Sequence, residues 1–154
     1  MSEIYDLDQI LKIETCIDDM NPEFFDYILK KLFSAGALDA YIIPIIMKKS
    51  RPAYELNVIL YPEDCDAIIE IIFRETTTSG IRTTGYDRLK LKRKFITILI
   101  EDILINVKVH TIKDSSITIS PEYEDCVKAA EILEIPIKYI YEKAKQLAIE
   151  KLNQ

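Results

Sequence analysis

The chain has 154 residues, 49% hydrophobic and 30% charged, with a formal charge of −6 and a pI near 4.9. That length suits one good core and is short for two, since domains commonly run to ~100–150 residues, and the acidic balance sets the whole-molecule field against nucleic acid and anionic membranes. The longest apolar runs, Tyr41–Met47 and Ile96–Ile100, are strand-sized, far below the ~20 residues of a membrane span; with no basic-then-apolar order at the N-terminus, a cytoplasmic protein is expected.

Residues 1–10, acidic and without period, read as a lead-in segment. Leu11 to Ile17 alternates apolar and polar, the period of a half-buried strand. Asn21-Pro22-Glu23 reads as an N-cap, a first helical residue and a dipole-favoured acid. Phe24, Phe25, Ile28, Leu29, Leu32 and Phe33 then recur at helical spacing until Gly36 ends the helix. Leu38–Met47 reads as a second strand, placed at an edge or a bulge by Pro44. Tyr54–Tyr61 is a third, paired with the second across the loop Lys48–Ala53. Pro62-Glu63-Asp64 opens a second helix carrying Ile68, Ile69, Ile72 and Phe73 down to Glu75 or Thr76. A fourth extended segment starts at Gly80–Thr84 and runs through Arg88 towards Lys94.

Strand, helix, strand, strand, helix, strand is the split βαβ plan of ferredoxin-like domains, expected here over residues 11–93. Residues 94–154 read as a β-meander (Lys94–Glu101, Ile103–Ile112, Ser115–Ile119) with turns at Glu101-Asp102 and Lys113-Asp114. Two helices follow, one started by Ser120-Pro121-Glu122 and one by Pro136, packed with the rest as one compact unit. The expected class is therefore α+β: a ferredoxin-like core, a β-meander and two C-terminal helices.

Three cysteines, Cys16, Cys65 and Cys126, with a single histidine, His110, make a structural zinc site improbable and fit reduced thiols. Four clusters carry possible chemistry, each with a plainer reading beside it. Asp18 and Asp19 leave the first strand as adjacent carboxylates, suited either to a Mg²⁺ or Mn²⁺ escorting a triphosphate or to solvating a turn beside a helix N-terminus. Lys48, Lys49 and Arg51 suit a polyphosphate, or a solvated hairpin whose charges discourage aggregation. Glu75–Arg82 strings four hydroxyls ahead of Gly80 and Arg82, an anion nest or a helix C-terminus where Gly80 permits positive φ. Glu122, Tyr123 and Asp125 crowd a helix start, where the dipole alone favours acids. The cations of Arg88–Lys94 alternate with Leu and read as a solvated strand face. Neither His110 nor Cys126 has sequence neighbours that mark a ligand or a nucleophile.

Together these segments form a recognisable set. Glu14–Glu23 (ETCIDDMNPE), Met47–Pro52 (MKKSRP), Arg74–Arg82 (RETTTSGIR) and Ser120–Cys126 (SPEYEDC) closely resemble the C-terminal domain of the LarC family, nickel-insertion proteins that build the nickel-pincer nucleotide cofactor. The resemblance runs in unbroken order over about residues 11–150.

It implies a metal–CTP-binding domain of a CTP-dependent cyclometallase of the lyase class. Such an enzyme inserts Ni²⁺ into pyridinium-3,5-bisthiocarboxylic acid mononucleotide while CTP goes to CMP and pyrophosphate. It further implies Asp18 and Asp19 on Mg²⁺ or Mn²⁺, and Lys48, Lys49 and Arg51 on the β- and γ-phosphates. Thr76, Thr77 and Arg82 would make further phosphate or ribose contacts; Glu122, Tyr123 and Asp125 would meet sugar, base or a neighbouring subunit. Implied partners are a His-rich N-terminal nickel-handling domain, on this chain or a separate one, and further copies in a homo-trimer or hexamer. Nickel handling lies outside a chain with one histidine, so the expectation is nucleotide binding with little insertion by this domain alone. Cys16 stands where the family pattern usually has Asn, and Ser79 where it is commonly apolar. Rival readings are a ferredoxin-like regulatory ligand-binding module and an oligomerisation domain without catalysis.

Overall fold

Alternation along β1 (Tyr5–Ile17) turns Ile13, Thr15 and Ile17 to one side and Lys12, Glu14 and Cys16 to the other. The same period in β3 (Arg51–Leu60) buries Leu56, Val58 and Leu60 and leaves Glu55 and Asn57 opposite. Antiparallel register sets Glu14 across from Asn57 and Cys16 across from Glu55, so one sheet face is apolar and the other polar. The computed structural model describes residues 4–113 and 115–153. Its remaining elements are α1 (Phe24–Ser34), β2 (Asp39–Met47), α2 (Cys65–Glu75), β4 (Arg82–Ile100), β5 (Ile103–Ile112), β6 (Ser115–Pro121), α3 (Tyr123–Leu133) and α4 (Ile137–Leu152).

The chain divides into two compact units: Leu7–Arg88, and the chain from Leu89 onward with the start of β1. In the first, the strand order is β2-β3-β1-β4. Phe25, Ile28 and Leu32 of α1 and Ile68 and Ile72 of α2 cover the apolar face of the sheet. Each of these side chains, fully buried, contributes roughly 1.5–3 kcal/mol of hydrophobic stabilisation. Pro44 sits in β2 at no cost to the ladder because β2 is the edge strand. Asp8 with Arg88 at 2.8 Å and Glu14 with Arg82 at 2.9 Å run in opposite senses along β1 and the start of β4, as antiparallel neighbours do.

Gly36 closes α1 in a Schellman arrangement. Ala37 N–H donates to the Leu32 carbonyl at 3.0 Å and Gly36 N–H to that of Phe33 at 3.2 Å, with Gly36 at φ 104°.

In the second unit, β4, β5 and β6 are antiparallel neighbours. Ile98 and Ile100 of β4 and Ile105 and Val107 of β5 form a core with Cys126 and Ala129 of α3 and Ile140, Ala144 and Ala148 of α4. The alanines let the two helices approach each other and the sheet closely. No described helix is long and apolar enough to cross a membrane.

The mixed α+β class stands, with four differences. The fourth strand does not stop near Lys94: β4 runs unbroken to Ile100 and pairs onward with β5, so the sheet does not end after four strands and the meander is not separate from it. No Gly or Pro lies between residues 86 and 100 to end it. β1 begins at Tyr5, inside the supposed lead-in. Ser120 and Pro121 belong to β6, with Pro121 opposite Val107, and α3 starts only at Tyr123. Gly80 has no positive φ; the loop is held by side chains instead. Residues 1–3 and Asp114, the second residue of an expected turn, lie outside the described residues.

Candidate functional site

The exit of β1 gathers three segments far apart in sequence. Asp18 Oδ2 accepts from Arg51 Nη1 at 3.0 Å, tying the carboxylate couplet to the first residue of β3. Asp19 Oδ1 accepts from Thr77 Oγ1, which brings in the hydroxyl loop after α2. Thr15, 2% exposed on β1, anchors that loop from below: its hydroxyl donates to the Gly80 carbonyl at 2.8 Å and lies 2.6 Å from Thr78 Oγ1. Thr76 Oγ1 caps the end of α2 by donating to the Ile72 carbonyl at 2.7 Å.

Lys48 and Lys49 stand in the tight connection between β2 and β3, where Met47 pairs with Arg51. Both are exposed, and neither meets a carboxylate among the described residues. Lys49 (φ 61°) and Ser50 (φ 55°) are both left-handed, the backbone of a tight hairpin turn usually filled by Gly or Asn. The loop thus spends conformational strain to present two uncompensated ammonium groups beside Arg51.

Arg82 sits deeper along the same polar face. Its Nε donates to Glu14 at 2.9 Å, and its Nη2 lies 3.6 Å from both Cys16 Sγ and Glu55. Contact with Cys16 first and Glu14 second pushes the guanidinium pKa up, so Arg82 is a fixed cation. Lys12, 2.8 Å from Glu14, and then Arg82 hold the Glu14 carboxyl below its ordinary 4.5.

Glu122, Tyr123 and Asp125 belong to the second unit. Glu122 pairs with Lys108 at 3.0 Å, Asp125 accepts from the Asn106 backbone and side-chain amides at 3.0 Å each, and Tyr123 is exposed. These contacts order the start of α3. The residues assembled at the β1 exit are Asp18, Asp19, Arg51 and Thr77, with Lys48, Lys49 and Thr76 on the same loops.

Residues 2–141 match the family described as nickel insertion protein. The chain belongs to that family. Among nickel insertion proteins, the pyridinium-3,5-bisthiocarboxylic acid mononucleotide nickel insertion protein of Thermotoga petrophila is 42% identical over 129 residues, covering 84% of this chain and 32% of that protein. Its counterpart in Acetivibrio thermocellus is 40% identical over 149 residues, 96% of this chain and 36% of its own length. The chain thus spans about a third of the curated relatives it matches. A solved structure accounts for that share: LarC2, the C-terminal domain of a cyclometallase involved in synthesis of the NPN cofactor of lactate racemase, in its apo form, superposes with a TM-score of 0.83 at 36% identity, covering 94% of this chain and 99% of LarC2. A protein of Methanopyrus kandleri shares the fold at TM-score 0.67 and 18% identity.

Two members of the polar cluster are not marked by any sequence motif. Glu55 accepts from Asn57 Nδ2 at 3.1 Å, and Asn57 is fully buried with its Oδ1 lacking a donor among the described residues. The alternation Tyr54-Glu55-Leu56-Asn57 already put both on the polar face. Only the register, Glu14 with Asn57 and Cys16 with Glu55, shows what they meet.

Proposed function

We propose that this chain is the metal–CTP-binding domain of a CTP-dependent nickel-inserting cyclometallase of the nickel-pincer cofactor pathway, with the triphosphate held at the exit of β1. One observation carries the reading: Arg51 at 3.0 Å from Asp18, together with Thr77 on Asp19, joins a carboxylate couplet, a basic hairpin and a hydroxyl loop in one corner. A polyphosphate with a hard divalent cation needs those three chemistries side by side.

The donor set fits such a cation. No described group of three or more His, Cys, Asp or Glu side chains is placed to hold a metal. Asp18 and Asp19, adjacent carboxylates whose oxygens already accept from Arg51 and Thr77, suit a hard ion that takes its remaining oxygens from phosphate and water, as Mg²⁺ does. Such an ion, when bound, neutralises triphosphate charge.

The chain's own residues do the rest. Arg51 leaves Asp18 and grips two oxygens of the β- and γ-phosphates, Lys48 and Lys49 add point charges, and Thr76 and Thr77 supply hydroxyl donors. Arg82, held by Glu14, Cys16 and Glu55, adds a further phosphate or ribose contact. When a carboxylate or thiocarboxylate of the pyridinium mononucleotide attacks the α-phosphorus, the bond to the β-phosphate oxygen breaks. The cations stabilise charge growing on departing pyrophosphate, leaving a CMP-activated substrate. Ni²⁺ is the cargo, delivered by a His-rich N-terminal domain on this chain or a separate one. Within that scheme residues 11–93 are the nucleotide-binding part, Glu122, Tyr123 and Asp125 meet base, sugar or a neighbouring copy, and the assembly is a trimer or hexamer.

The test is a thermal-shift and calorimetric comparison of the four nucleoside triphosphates with Mn²⁺. CTP is expected to stabilise the chain selectively, and Arg51→Ala to weaken it by about tenfold or more. Equal response to all four, or full CTP affinity in Arg51→Ala, refutes the reading.

A further inference from the structure

The second unit has a cavity of about 560 Å³ lined by Asp6, Lys90, Leu91, Arg93, His110 and Thr118. In a chain of net charge −6, the lining sets a guanidinium, an ammonium and an imidazole beside one carboxylate in a hollow of a size that suits a small anionic ligand. The β-ladders build it: Arg93 on β4 pairs with His110 on β5, and His110 with Thr118 on β6, so guanidinium, imidazole and hydroxyl stand in one row across three strands. The register shifts between His110 and Thr111, a bulge of the kind that re-aims a side chain.

Arg93 is also the exception among the chain's five arginines. Arg51, Arg74, Arg82 and Arg88 each pair with a carboxylate. Arg93 has no such partner among the described residues; its guanidinium carbon lies 5.8 Å from the centre of the Phe95 ring, a contact that uses none of its N–H donors on a carboxylate.

We propose that this cavity binds a phosphate monoester of mononucleotide size. The phosphate dianion is taken by Arg93, His110 and Thr118 in the field of Lys90, and the remainder lies against Leu91. A planar guanidinium and an imidazole N–H match phosphate oxygens, and a monoester carries close to two negative charges near neutral pH. The pyridinium mononucleotide named for the relatives is a ligand of this class. The inference does not rest on the triphosphate corner, whose residues it does not use.

His110 is the only histidine, so its imidazole resonances report on the cavity without assignment of the rest of the spectrum. The probes are nicotinamide mononucleotide, ribose 5-phosphate, inorganic phosphate and sodium chloride at matched ionic strength. Saturable movement of the His110 signals with both monoesters is expected, weakened about tenfold or more by Arg93→Ala; that variant is expected to melt with the parent, and Arg51→Ala to bind the monoesters unchanged. Movement reproduced by chloride, binding of inorganic phosphate without either ester, or Arg93→Ala binding like the parent overturns the proposal. Loss of monoester binding in Arg51→Ala overturns it as a separate site.

Discussion

Glu14 sits between Lys12 at 2.8 Å and Arg82 at 2.9 Å, and both favour its charged form. Because its folded pKa lies below the ordinary 4.5, the carboxylate favours the fold above that value; as pH falls through the depressed value, the unfolded chain takes up the proton first and the contribution is lost. The melting-temperature gap between the parent and Glu14→Gln should therefore be open at neutral pH and narrow as the pH falls below 4.5. A gap independent of pH assigns the effect to packing. At Ser50 the backbone is the issue. A left-handed non-glycine residue costs roughly 1–2 kcal/mol, partly offset in glycine by its entropy; Ser50→Gly should raise stability by up to about 1 kcal/mol in urea unfolding. At this scale the sequence identified the charged groups well, since Asp18, Asp19, Lys48, Lys49 and Arg51 are marked by type and spacing. It could not show their pairing, because Arg51 with Asp18 and Arg82 with Glu14 depend on which strands are neighbours.

The ends of α1 follow local chemistry, and strand ends do not. Asn21 still accepts from the Glu23 N–H at 3.1 Å as a capping side chain does, although α1 is regular only from Phe24. Gly36 lies where a helix of that pattern must stop, and its φ of 104° excludes an ordinary side chain at low cost. A Cβ there would also fall 2.8 Å from Asp64 Oδ2, a contact that a rotated carboxylate can relieve. Gly36→Ala should thus lose about 1–2 kcal/mol by denaturant unfolding, and adding Asp64→Ala should not restore it; recovery would assign the cost to the clash. β4 was misread because periodicity fixes which face a residue takes, not where pairing ends. Arg88–Lys94 looks like a change of segment, yet the strand continues from its pairing in the first unit to β5 in the second. Ser120-Pro121 carries a helix-start signature, but Pro at a strand end needs no N–H and serves β6 equally well.

For the molecule as a whole, the mixed class and the family were readable because four motifs kept their order along one chain. The division into two units was not readable, since each core draws on residues whose periodicity looks alike. Cys126, buried in the second core beneath α3, has its thiol pushed up by burial and then by Asp125, whereas Cys16 and Cys65 are half-buried. A maleimide-type reagent at pH 7.5 should therefore modify the latter two first and reach Cys126 only on unfolding. Early labelling of Cys126, followed by mass spectrometry of peptides, would contradict that core.

The pairing of Arg51 with Asp18 has an energetic corollary for ligand uptake. Arg51 and Asp18 each satisfy the other's charge, so a lone metal ion would strand the guanidinium and a lone triphosphate would strand the carboxylate. Admission as a neutral couple leaves neither bereft. Mn²⁺ and CTP should accordingly each sharpen the affinity for the other by the same factor, and Asp18→Asn should flatten that synergy in paired titrations.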